Sequence, residues 1–184
     1  ILVRSSATLC LATELPLEYK QKYTQELVQK YGGSFISMCE INMGDKDFLD
    51  LKFYIDHFNI NNQWQSKSQF MNQLGKMRNG TQVTALILAA IMENETLVEY
   101  LLHHGADVGT ITKEGTNVFH YACYFTKRST KTIKMLLSQP QPNGRPIRGT
   151  LNTVDEHGET PLDRANMQLH EELQKGKQCR YQRE

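Results

Sequence analysis

Between Thr84 and Asn166 the apolar residues come in short runs that repeat. Three stretches align: TALILAA at Thr84–Ala90, NVFHYAC at Asn117–Cys123 and TPLDRAN at Thr160–Asn166. Their central apolar positions, Leu86, Phe119 and Leu162, stand 33 and then 43 residues apart, so the second interval holds an insertion. The approaches match as well. GTITKEGTN (Gly109–Asn117) and NTVDEHGET (Asn152–Thr160) carry Gly115 and Gly158 at the same place. After the first stretch Leu97, Val98, Leu101 and Leu102 recur at helical spacing, and Ile133, Leu136 and Leu137 do so after the second. Each repeat therefore carries an apolar run followed by apolar positions at helical spacing. No such unit hides its apolar side alone, so neighbouring units must stack.

Local chemistry agrees with these boundaries. Thr84, Asn117 and Thr160 suit helix N-caps, because a side-chain oxygen there accepts an orphan amide of the first turn. Pro161 falls on the first helical position, where its missing N–H costs nothing. Ala89, Ala90, Ala122 and Ala165 are small where helices approach closely. Gly105 follows the second helix, where a left-handed residue ends it without steric penalty.

The first half is less regular. Residues 14–31 predict an amphipathic helix after Pro16, with Leu17, Tyr23, Leu27 and Val28 on one face and Gly32-Gly33 stopping it. It is either the cap that a terminal stacked unit needs or a partner-binding helix. GSFISMCEINM, from Gly33, and GDKDFLDLKFYIDHFNIN (Gly44–Asn61) predict the two helices of a divergent unit, with Leu51, Tyr54 and Ile55 on its seam. Asp45, Asp47, Asp50 and Asp56, with Lys46 and Lys52 between them, predict a solvated face. An insertion near 62–79 is polar yet holds Trp64, Phe70, Met71 and Leu74. It is a binding loop or an extra helical turn packed on the array. A second insertion, near 138–149, is rich in Pro and Gly and predicts an extended loop.

These motifs resemble the ankyrin repeat, whose pattern is a Gly-containing turn, T-P-L-H-x-A-A, a second helix ending L-L, and G-A-D-V-N. Thr84, Leu86, Ala89, Ala90 and Gly105–Gly109 (GADVG) carry the likeness in one unit. His120, Ala122 and Cys123 carry it in the next, and Gly158, Thr160, Pro161, Leu162 and Ala165 in the third. The resemblance implies an all-α solenoid of stacked helix-turn-helix units. Residues 1–31 would be an N-terminal extension with a capping helix, 32–175 an array of about four repeats, and 176–184 a tail. It also implies that His120 ties down its finger turn, and that partners bind through the finger loops and the concave side of the first helices. Carried over residue by residue, the fingers present Lys113, Glu114 and Thr116, then Glu156, His157 and Glu159. The first helices present Ile91 and Met92, Tyr124 and Phe125, then Asn166 and Met167. A row of Met and aromatic side chains suits a partner surface, unless the inserted loops cover it.

Composition changes little in this picture. Twenty-one basic and 20 acidic residues leave a net charge of +1, which gives no electrostatic reason for direct nucleic-acid binding. No apolar run is long enough for a membrane span. Four scattered cysteines, with no C-x-x-C pair, predict reduced thiols and a cytoplasmic or nuclear protein. The triplets Asn79-Gly80-Thr81 and Asn94-Glu95-Thr96 are glycosylation-type signals that weigh weakly the other way. The chain opens without Met, which reads as a piece of a longer protein.

No catalytic constellation emerges. GKMR at Gly75 lacks the spacing of a phosphate-binding loop, and the G-x-S-x-G and H-E-x-x-H motifs are absent. His120 and Cys123 form an i, i+3 pair, but Cys123 falls on a buried alanine position of the repeat. His103 and His104 close a helix, where positive charge meets the negative end of the dipole. They predict a cap rather than a metal site. The expectation is a non-enzymatic scaffold without cofactor or metal that binds another protein. The alternative is a regulatory or substrate-docking domain of a larger enzyme.

Overall fold

The computed structural model describes residues 16–32, 34–40, 45–57, 66–125, 130–139 and 147–170. Trp64, the TKRS stretch at 126–129, most of the Pro-rich insertion and the tail at 176–184 lie outside them. Its contacts divide the chain into two compact units, Ile1–Ala85 and Leu86–Glu184.

In the first unit the N-terminal helix α1 (Leu17–Lys30) ends at Tyr31 and Gly32, whose φ of +81° closes the chain in the left-handed region. Its buried side chains are Thr24 and Leu27, joined by Tyr31 just beyond its end. Leu17 is exposed, contrary to the amphipathic reading, because it stands on the first turn, away from the packed end. Helix α2 (Phe35–Cys39) is capped by Ser34, whose hydroxyl accepts from Ser37 N–H. Helix α3 (Asp45–Asp56) buries Leu51, Phe53 and Ile55.

The solvated face expected on α3 is not there at Asp50. This carboxylate is 4% exposed. Tyr23 Oη (2.7 Å), Tyr31 Oη (2.6 Å) and Lys30 Nζ (2.8 Å) all donate to it. Burial opposes its ionisation, but those three donors outweigh burial and hold it below the ordinary carboxylate range. Charge pattern on a single helix cannot reveal donors that arrive from α1.

The 62–79 insertion contains a short helix, α4 (Lys67–Met71), capped by Ser66. Phe70 and Met71 are buried, with Phe70 4.7 Å from the Phe35 ring and 5.8 Å from Tyr54, while Leu74 stays at the surface. Strands β1 (Gly75–Lys76) and β2 (Gln82–Val83) form an antiparallel pair, the one departure from all-α among the described residues. Gly75 is there because a Cβ would lie 2.3 Å from Ile36 Cγ1.

Helix α5 (Ala85–Ile91) follows the buried Thr84 and, but for its first residue, belongs to the second unit. Ala85 to Ala90 are all buried, which explains a continuous apolar run instead of a stripe. Helix α6 (Glu95–His103) starts at Asn94, whose Oδ1 accepts from Leu97 N–H at 3.0 Å. It buries Leu97, Val98, Leu101 and Leu102, each worth roughly 2 kcal/mol as transferred apolar surface. Its end is closed by His104, whose Nδ1 lies 2.8 Å from the Tyr100 carbonyl, and by Gly105 at φ +89°. Helix α7 (Val118–Phe125) and helix α8 (Lys131–Leu137) form the next pair. Leu136 and Thr132 are the buried members of α8, whereas Leu137 is exposed. Lys131 and Glu95 pair at 2.6 Å between α8 and α6. Helix α9 (Ile147–Leu151) occupies the end of the stretch expected to stay extended. Helix α10, the last among the described residues, covers 161–170 of them and begins on Pro161 as its chemistry requires.

Candidate functional site

The fingers are built by one recurring turn. Thr112 N–H donates to Thr116 O and Gly115 N–H to Thr112 O; Asp155 N–H donates to Glu159 O and Gly158 N–H to Asp155 O. Met77, Gly80 and Thr81 make the same two bonds in the first unit. The glycines sit at φ between +75° and +89°, where other residues are strained. Gly80 precedes Thr84 by four positions instead of two, and β2 takes up the difference, which hid this turn from the repeat alignment.

The two fingers of the second unit adjoin. Glu156 N–H donates to Glu114 O at 2.9 Å, and a Cβ on Gly115 would come within 3.2 Å of the Val154 carbonyl oxygen. Asp155 organises the second finger. Its Oδ1 accepts from the amides of His157 (2.8 Å) and Glu159 (3.1 Å), and its Oδ2 from Arg164 Nε (2.8 Å). Burial works against this carboxylate, yet the Arg164 guanidinium and the two amides depress its pKa to about 2. Arg164 is thereby committed, with Glu159 Oε2 a further 3.5 Å away.

His120 joins α7 to that finger. Its Nδ1 accepts from Asn117 N–H (3.1 Å) and its Nε2 faces the Glu159 carbonyl at 3.1 Å. Asn117 Oδ1 caps α7 by accepting from Phe119 N–H and His120 N–H. Burial lowers the His120 pKa and favours the neutral ring; an amide donor at Nδ1 and a carbonyl at Nε2 are the partners suited to the tautomer with its proton on Nε2. Both nitrogens are occupied, and Cys123, half-buried and not fully enclosed as expected, has its thiol pushed up by burial. A base with no free nitrogen and a protonated thiol do not make a nucleophilic pair.

The expected partner-binding residues divide. Lys113, Glu156, His157 and Met167 are exposed; Met92 and Tyr124 are half-buried; Phe125 is 37% exposed. Tyr124 meets Phe125 edge-on at 4.9 Å, and Tyr121 stacks parallel to Phe125 at 6.3 Å. Glu114 is half-buried, and its Oε2 is enclosed without a hydrogen-bond partner. Thr116 must be withdrawn. It is 4% exposed, because its hydroxyl is spent on Thr112 Oγ1 at 2.6 Å inside the turn.

Two residues were missed: Ile111 and Val154, each about half exposed at 51% and 52%. Both stand one position before the finger turn, 43 residues apart, so the repeat register contained the signal. Leu162 departs in the other direction. It occupies the central apolar position of the third stretch but is 67% exposed.

Among the described residues no group of three or more His, Cys, Asp or Glu side chains could hold a metal ion. Among them, too, no helix is long and apolar enough to cross a membrane. No curated protein matches the sequence. The family model described as ankyrin repeats (3 copies) matches residues 50–146, more than half of the chain. The Thr160–Asn166 stretch lies beyond that range, with a finger turn of the same design. The chain belongs to the ankyrin-repeat family, with the helical solenoid class of fold that this family builds.

Proposed function

We propose that this chain is a non-catalytic scaffold that captures another protein on the second unit, through the first helices of its repeats and the adjoining fingers. Ankyrin repeats are in general protein-interaction modules. The observation that carries the finer reading is the aromatic cluster at the end of α7. Phe125 stays partly exposed although Tyr121 and Tyr124 pack against it. Large rigid aromatics of this kind dominate binding energy when a partner desolvates them. Occupation of both His120 nitrogens supports the non-enzymatic part. Four scattered cysteines with no C-x-x-C pair favour a reducing compartment, cytoplasm or nucleus.

The test is a Tyr124→Ala/Phe125→Ala double variant. Partner capture, identified by mass spectrometry, should fall by roughly tenfold or more, while thermal stability changes by no more than about 1 kcal/mol. Undiminished capture contradicts the proposal. Loss of the fold would make these side chains core.

A further inference from the structure

We propose that the fingers of the second unit select a cationic segment of the partner, one that brings Lys or Arg together with aliphatic side chains. The inference rests on the protein-binding reading above and gives the partner a chemistry.

The apolar part of the surface is Ile111 and Val154, β-branched residues at equivalent positions of two fingers that are hydrogen-bonded to each other. Among the described residues of the two finger turns the charge is one-sided. Arg164 is consumed by Asp155 and Glu159, and so offers nothing outward. Lys113 and Arg164 together stand against four carboxylates in the two finger turns, Glu114, Asp155, Glu156 and Glu159, of which Arg164 pairs with two. Glu156 has a side chain 57% exposed, and His157 Nε2 lies 3.7 Å from its carboxylate, outside hydrogen-bond range. Glu114 Oε2 is enclosed without a donor, so Glu114 adds to the negative field of the fingers while the exposed Glu156 is the carboxylate open to contact. The chain as a whole is nearly neutral, so this imbalance belongs to the fingers and not to general composition. A partner with the opposite charge is drawn in, and one with like charge is rejected.

The probe is a phage-displayed library of random peptides, selected on the immobilised full chain. Enriched peptides should carry net positive charge with aliphatic residues. Their binding should weaken with added salt and fall roughly tenfold in Glu156→Lys. Melting of Glu156→Lys should match the parent, because Asp155 rather than Glu156 holds the turn. Neutral or acidic peptides that depend on Tyr124 and Phe125 would overturn the cationic selection while leaving the protein-binding reading intact. Cationic peptides indifferent to Glu156→Lys, or no Glu156-dependent peptide at all, would also overturn it. Peptides that lose binding with neither Glu156→Lys nor the Tyr124→Ala/Phe125→Ala variant would count against both.

Discussion

Replacing Asp155 by Asn keeps the shape of the side chain but removes the charge that Arg164 holds. The magnitude follows from the carboxylate's own ionisation. Its pKa drops from an ordinary 3.8 to about 2 in the folded chain. That difference is worth about 2 kcal/mol of stability at neutral pH. For a chain of this length it corresponds to a fall of about 4–8 °C in the melting temperature. The sign with pH is fixed. Because the folded value is the lower one, the contribution is complete above the unfolded pKa and disappears as pH falls towards the folded value. The gap between parent and Asp155→Asn should therefore be full at pH 7 and roughly halved near pH 3. Scanning calorimetry of both proteins across that range measures it. Equal melting at pH 7, or a gap that does not shrink with acid, would refute the reasoning. Loss of Asp155 should also loosen the finger that presents Glu156 and His157.

Asp50→Ala leaves Tyr23, Tyr31 and Lys30 without their shared acceptor and should cost about 2–4 kcal/mol, read by denaturant unfolding. Amide exchange should rise first in α1, and normal protection there would argue against Asp50 holding that helix. Gly75→Ala drives a methyl into Ile36 and should destabilise the first unit by about 1–3 kcal/mol, again by denaturant unfolding. Adding Ile36→Ala should make the combined loss smaller than the sum of the two single losses.

The parts of the fold legible in the sequence are those where one helix decides its own pattern. The buried row Leu97, Val98, Leu101 and Leu102, the Asn117 cap and Pro161 at the start of α10 are local signals, and the structure places them as read. What was illegible depended on a second element. Asp50 looks solvent-facing until Tyr23, Tyr31 and Lys30 come from another helix. Thr116 looks like a fingertip until Thr112 folds back on it. At the candidate site the register placed Phe125, Glu156 and His157 on the surface, and it could have added Ile111 and Val154. The repeat recurs most clearly at buried positions, and a shared exposed position such as theirs leaves no mark in the apolar pattern. Leu162 shows the limit of register, since the apolar position recurs while its burial does not.

Hydrogen exchange of the full chain, with and without its captured partner, tests the central claim most directly. The account predicts new protection in the fingers at 111–116 and 154–159 and along the α7 and α10 helices. Protection confined to residues 17–56, with those segments unchanged, would contradict it.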